Sequence, residues 1–123
     1  MPRILVVASD TELTQVLQAA LQGLGLDLES ASSGADALAA IQARRPDALF
    51  VDERSIDESG AAFAERVRLH DGSEQLPICL IGSEASEAAQ AARAIGCEVL
   101  PTPVSLLQFR AVAQQLVKSS SLR

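Results

Sequence analysis

The chain has very few of the residues on which several classes of protein depend. Among its 123 residues there is no tryptophan or tyrosine, and there are three phenylalanines, two cysteines and a single lysine. Without Trp or Tyr, only phenylalanine could stack on a flavin ring. No apolar stretch approaches the roughly 20 residues of a membrane-spanning helix. The run Ile4–Val7 is also too short for a signal peptide and better fits a first strand.

Positive charge is scarce as well. The formal net charge is −6, the longest basic cluster is Arg44-Arg45, and the only lysine is Lys118. This balance argues against non-specific contact with nucleic acid. Cys79 and Cys97 form no motif, so we interpret them as buried thiols in a reducing, cytoplasmic compartment. The length suits one domain, which we expect over residues 1–118, with 119–123 a tail or the start of a linker.

Five strand-like segments alternate with five helical ones. The predicted strands are Ile4–Val7, Leu26–Ala31, Ala48–Val51, Ile78–Ile81 and Glu98–Leu100. Helices are predicted to begin near Ser9, Ser33, Gly60, Ser83 and Ser105. This alternation predicts a parallel sheet with right-handed crossovers. The apolar middle strands, the alternating second strand and the short fifth favour strand order 2-1-3-4-5, the α/β flavodoxin-like three-layer arrangement with helices on both faces.

Local signals suggest how the first and last helices are oriented. The Ser9-x-x-Glu12 spacing predicts a capping box. An apolar stripe with Leu13, Val16 and Leu17 follows, and Gly25 ends the first helix. In the last helix the spacing predicts that Leu107 points outward. The residues predicted to point inward are Leu106, Phe109, Ala113 and Leu116.

Asp52 closes the apolar run Ala48–Val51, at the strand end where open α/β sheets place their sites. Residues 46–52, followed by Gly60, resemble the phosphoacceptor strand of response-regulator receiver domains. Residues 4–7 and 76–81 and the pair Pro103-Val104 resemble other parts of that family, so the resemblance covers roughly residues 3–117. It implies phosphorelay signal transduction with Asp52 as the candidate phosphoacceptor.

The family's other functional positions are mostly altered. In such domains two acids after the first strand hold Mg²⁺, and here they correspond to Ala8 and Ser9. The hydroxyl after the fourth strand corresponds to Gly82, and the lysine after the fifth to Thr102. In the family, the metal and the lysine neutralise the charge that develops on the phosphoryl oxygens. The resemblance is therefore to a degenerate receiver, or pseudo-receiver, without a metal site or a cofactor.

The remaining polar residues near these positions have ordinary interpretations. We expect Asp10 and Ser83 to cap helices rather than to supply ligands. Arg54 is the only cation close to Asp52 in sequence; it could fold toward that carboxylate, but a solvated side chain is the expected state. His70 is interpreted as a surface residue, not a phosphorelay histidine.

Three functional interpretations remain. The favoured one is a non-enzymatic signalling module that binds a sensor kinase, an effector domain or a second copy of itself, with weak or absent phosphorylation. The alternative is a receiver still phosphorylated on Asp52 by a histidine kinase. The third is a flavodoxin-like cofactor binder, which the glycine-free loop Ala8–Thr11 disfavours because phosphate cradles use glycine-rich loops.

The resemblance also indicates a partner surface. In receivers the last strand and its flanking helices form the usual output and dimer face. Val99 stands where many receivers have an aromatic side chain that reports phosphorylation by turning inward. A valine cannot make that rotation. We expect this face, with Val99, Leu107 and the small residues 85–94, to carry protein contacts, a homodimer included.

Overall fold

The strands and helices predicted from the sequence are all present in the computed structural model, which describes residues 2–69, 75–83 and 87–121. The strands are β1 (Arg3–Val7), β2 (Asp27–Ala31), β3 (Ala48–Asp52), β4 (Ile78–Gly82) and β5 (Glu98–Pro101). The helices are α1 (Thr11–Ala20), α2 (Gly34–Ala43), α3 (Gly60–Arg68), α4 (Glu87–Ala94) and α5 (Leu106–Ser121). A short 3₁₀ turn, Glu53–Ser55, follows β3. His70 and Ala85 lie outside the described residues.

All five strands are parallel and lie in the order β2-β1-β3-β4-β5, which confirms the predicted flavodoxin-like topology. In register, Val7 lies beside Val51, Val51 beside Leu80, and Leu80 beside Val99. Because the strands are parallel, their carboxyl ends meet at one edge of the sheet. The residues that follow β1, β3, β4 and β5 are brought together there.

Two apolar clusters, one on each face of the sheet, form the core. Phe63 and Val67 of α3 belong to the cluster that also contains α2 residues and Leu80. The opposite cluster contains residues of α1 and α5, and in it the rings of Phe50 and Phe109 meet edge to face, 4.9 Å apart between centroids. Helices thus cover both faces, which explains why β1, β3 and β4 are buried along their whole length.

The ends of α1 differ from the sequence-based prediction. Asp10, not Ser9, is the N-cap: its carboxylate accepts the backbone N–H groups of Glu12 and Leu13. The interpretation of Asp10 as a capping acid is confirmed, and the Ser9 capping box is wrong. The helix ends at Ala20, and the turn that follows contains Gly25 with φ of 70°. Glycine adopts this left-handed conformation without steric cost.

Two apolar residues of the predicted helices are partly exposed, and α5 is longer than expected. Leu106 is 42 % exposed, so its inward assignment is wrong, and Val16 of the apolar stripe is 43 % exposed. Val16 lies next to the buried Leu17 in sequence, and Leu106 lies in the first turn of α5. The outward orientation of Leu107 is confirmed. Helix α5 continues to Ser121 instead of ending at Lys118.

Cys79 and Cys97 are buried free thiols, as predicted. Burial is the main cause that raises the pKa of each thiol above its ordinary value. In the part of the chain that the structure describes, no helix is long and apolar enough to cross a membrane.

Candidate functional site

Asp52 lies at the carboxyl edge of the sheet, as the last residue of β3. It is 1 % exposed, and in the ladder it pairs with Ile81, next to Gly82. Ala8 follows β1 and is buried, while Thr102 follows β5 and is exposed. Strand order alone therefore gathers the four positions predicted from sequence at one edge of the sheet.

Arg54 binds both carboxylate oxygens of Asp52. Its Nε donates to Oδ1 at 3.2 Å and its Nη2 to Oδ2 at 3.1 Å, while its backbone N–H also donates to Oδ1 at 3.1 Å. The hydrogen bond and the charge of Asp52 both raise the pKa of the guanidinium. The Arg54 side chain is 68 % exposed, yet it is paired. The expectation of a merely solvated Arg54 is therefore wrong, because a two-residue separation brings the fork directly onto the carboxylate.

The loop after β1 is joined to the turn after β3 through two serines. The Ser9 backbone N–H donates to Ser55 Oγ at 2.8 Å, and the two hydroxyls lie 3.2 Å apart. Ser55 was not identified from the sequence, and no local pattern could have found a contact across 46 residues. Ser9 therefore has a partner within the protein, and its neighbour Ala8 has no side-chain oxygen to offer a ligand.

Glu53 covers Gly82. A Cβ built on Gly82 would lie 2.3 Å from Glu53 Oε2, so the carboxylate takes the space that a side chain at position 82 would use. Sequence reasoning assigned no role to Glu53. In the sequence the only signal was that an acid follows Asp52 directly. That this acid faces Gly82, which has no side chain, is visible only in the structure.

The remaining predicted residues differ in how exposed they are. Ser83 and Thr102 are exposed, and the Thr102–Pro103 peptide bond is cis. Val99 is half-buried and packs against the core, whereas Leu107 is 80 % exposed. Val99 and Leu107 thus belong to the β5–α5 side of the molecule and not to the surroundings of the carboxylate.

The sequence of this chain matches a known family. A family model of the response regulator receiver domain matches residues 4–104. The chain belongs to this family. The receiver domain is 30 % identical to Protein Rrf1 of Nitratidesulfovibrio vulgaris over 85 % of this chain and 77 % of that protein. It is 29 % identical to the transcriptional regulatory protein PrrA of Mycobacterium tuberculosis over 69 % of this chain, but over only 36 % of PrrA.

Solved structures give the same result. The receiver domain superposes on a putative response regulator from Chloroflexus aurantiacus with a TM-score of 0.85, at 26 % identity and over 96 % and 99 % of the two chains. The chemotaxis response regulator CheY4 of Vibrio cholerae gives a TM-score of 0.84 at 27 % identity, over 94 % and 98 %. Membership places the chain in two-component signalling and selects the receiver interpretation over the cofactor-binding one.

The residues of this receiver domain do not fit the Mg²⁺ ion of the family. Magnesium requires several oxygen ligands in octahedral geometry, and carboxylates are its preferred protein ligands. The side chain of Ala8 offers no oxygen, and both carboxylate oxygens of Asp52 accept hydrogen bonds from Arg54. Among residues 2–69, 75–83 and 87–121, no group of three or more His, Cys, Asp or Glu side chains is placed to hold a metal.

Proposed function

We propose that this receiver domain transmits its signal through protein–protein contacts, with weak or absent control by phosphorylation of Asp52. The observation that carries this proposal is the pairing of Asp52 with Arg54 through both carboxylate oxygens. A carboxylate attacks phosphorus through an oxygen lone pair. Here both oxygens accept hydrogen bonds from a cation, which makes them weaker nucleophiles.

The charge balance of phosphoryl transfer supports the same conclusion. Charge in the transition state is spread over three phosphoryl oxygens and is normally neutralised by a metal and a cation. Ala8 and Ser9 supply no carboxylate to hold the metal, and Thr102 supplies no positive charge in place of the lysine. Each missing group removes several kcal/mol, and about 1.4 kcal/mol corresponds to a tenfold change in rate. Phosphorylation by small donors should therefore fall by orders of magnitude.

A receiver that is still phosphorylated on Asp52 is the second candidate. Its support is the position of Asp52 at the end of β3, where the family carries its acceptor. A histidine kinase that displaced Arg54 would give this result. The two candidates differ in whether the carboxylate, and not only the fold, is needed for output.

Receiver domains interact with kinases and effector domains, and we infer that the β5–α5 side is the contact face here. Leu107 is exposed there, and Ala91 and Ala94 on the neighbouring helix α4 are small and exposed, so a partner could approach closely. Val99 is half-buried and is smaller than the aromatic switch side chain that many receivers have at this position. The two free thiols suit a reducing compartment, so we also propose a cytoplasmic location.

The decisive experiment compares two substitutions, each of which replaces one carboxylate at the same edge of the sheet by an uncharged amide. Asp52→Asn removes the acceptor, and Asp10→Asn is the matched control because asparagine also caps helices well. Complementation of a deletion strain by each allele should leave output close to wild type. A null phenotype for Asp52→Asn alone, with normal protein abundance, would establish the second candidate.

A direct chemical measurement complements the genetics. Purified protein is titrated with beryllofluoride and Mg²⁺ while amide NMR signals are recorded. We expect no saturable shift of the signals around Asp52. A saturable shift that disappears in Asp52→Asn would show a working acceptor pocket and overturn the proposal.

A further inference from the structure

We propose that the Glu53–Ser55 turn closes the acceptor pocket from within, by placing three consecutive side chains of this chain at three of its functional positions. The proposal deepens the proposed function, because it names what keeps Asp52 from metal and phosphoryl donors. The contacts are Glu53 with Gly82, Arg54 with Asp52, and Ser55 with Ser9.

The central contact places a positive charge where a metal would be needed. The guanidinium fork of Arg54 engages both oxygens of Asp52, and the negative charge of Asp10 also attracts it. A bidentate pair fixes orientation as well as charge. A divalent cation would have to displace this fork and would meet like-charge repulsion from it. Arg54 is therefore a resident counter-ion of the acceptor carboxylate.

The contact to the β1 side holds two loops together. Ser55 Oγ accepts the backbone N–H of Ser9 and lies 3.2 Å from its hydroxyl. In the family, side chains at positions 8 and 9 reach toward the metal. Here the loop is fastened instead to the turn that carries Arg54, so the turn and the loop support each other's positions.

The contact to the β4 side places a carboxylate where the family has a hydroxyl. Any side chain at position 82 must push Glu53 Oε2 out of its place, since the Cβ alone would lie 2.3 Å away. The carboxylate also adds negative charge beside Asp52, which disfavours an approaching phosphoryl group. Glu53 thus occupies the space that the absence of a side chain at position 82 leaves free.

The consequence is that restoring the family's acids alone should not restore a metal site. We would compare Ala8→Asp/Ser9→Asp with the same pair plus Arg54→Ala, using Mn²⁺ as the probe and electron paramagnetic resonance as the readout. The control adds Arg45→Ala to the acid pair, because Arg45 is an exposed arginine before β3, at the opposite edge of the sheet. We expect Arg54→Ala to tighten Mn²⁺ binding by about tenfold or more, and Arg45→Ala to leave it unchanged.

Either of two results would overturn the inference. One is equal Mn²⁺ affinity with and without Arg54. The other is no binding by any variant, although circular dichroism shows each to be folded. Both results concern the metal alone, so they would leave the proposed function standing. Conversely, loss of output in Asp52→Asn would refute the proposed function, and the Mn²⁺ affinities would not depend on that result.

A second measurement uses nearly wild-type protein, so it does not depend on the folding of the multiple variants. In ¹⁵N NMR spectra, the Nε–H signal of Arg54 should move when Asp52→Asn removes the charge, and that of Arg45 should not. An unmoved Arg54 signal would show that the pair is absent in solution, and the inference would fail.

Discussion

Two glycines, Gly60 and Gly82, allow a test of how tightly their surroundings are packed. Gly60 opens α3 directly after the N-cap Ser59, and Gly82 ends β4. Neither has a positive φ, so alanine can adopt both backbones. The same methyl group can therefore be added at two places, and only its surroundings differ.

The methyl group at position 60 meets buried core. It would lie 2.2 Å from Leu80 Cδ1, 3.0 Å from Cδ2 and 3.1 Å from Cγ, and Leu80 is only 2 % exposed. Overpacking of this kind costs about 1–3 kcal/mol, while alanine regains part of the helix propensity that glycine lacks. We expect Gly60→Ala to lower the free energy of unfolding by about 2 kcal/mol, which is a fall in Tm of roughly 8 °C.

The methyl group at position 82 meets only the free end of a flexible side chain. Glu53 Oε2 is 2.3 Å away, but Glu53 Cβ and Cδ are at 3.4 and 3.5 Å, and the half-buried side chain can turn toward solvent. Gly82→Ala should therefore cost less than about 0.5 kcal/mol. Combining it with Glu53→Ala should cost no more than Glu53→Ala alone.

Urea unfolding followed by far-ultraviolet circular dichroism measures both variants, since the chain has no tryptophan to report by fluorescence. Equal m-values would confirm that the same surface is exposed in each unfolding reaction. If Gly60→Ala were as stable as wild type, Leu80 would have more space around it than the structure shows, and the reasoning would be refuted. If Gly82→Ala were equally damaging, Glu53 would be held rigidly.

Three further predictions concern the core and the surface. With reductant present, the free energy of unfolding should fall as pH rises above about 9, by up to ~1.4 kcal/mol per pH unit for each thiol. The reason is that burial raises the pKa of Cys79 and Cys97, so the unfolded chain loses those protons first. Cys79→Ala should flatten this dependence in urea titrations at successive pH values. Phe109→Ala should destabilise by about 3–5 kcal/mol in the same assay, because it removes a fully buried ring that packs on Phe50. Leu107→Glu should change stability by less than about 0.5 kcal/mol but weaken self-association or partner binding, and unchanged sedimentation and pull-down would refute the proposed contact face.

The alternation of apolar and periodic segments was sufficient to predict the architecture. Buried strands such as Ala48–Asp52 need continuous apolar runs when helices cover both faces, so their positions are visible in the sequence. The helix cap at Ser33 and the left-handed Gly25 also depend on the chemistry of near neighbours. Strand order then placed Asp52 at the functional edge.

The depth of side chains on the helices was less predictable. Helical spacing shows which residues share a stripe but not how wide a stripe the sheet covers. Val16 and Leu106 lie at the margins of their stripes and remain partly exposed. The extent of burial was decided by how α1 and α5 pack on the sheet and on each other.

Only the tertiary structure decided what surrounds the carboxylate of Asp52. From the sequence, Ala8, Ser9 and Thr102 were predicted to stand at the positions of the family's acids and lysine, because single positions carry that information. It did not show that Arg54 pairs with Asp52, that Ser55 joins Ser9, or that Glu53 lies over Gly82. The contacts of Ser9 and Gly82 join residues far apart in sequence, which meet only because parallel strands end at one edge of the sheet. Arg54 is near in sequence, but its choice between solvent and Asp52 depends on the burial of that carboxylate, which the sheet and its helices impose.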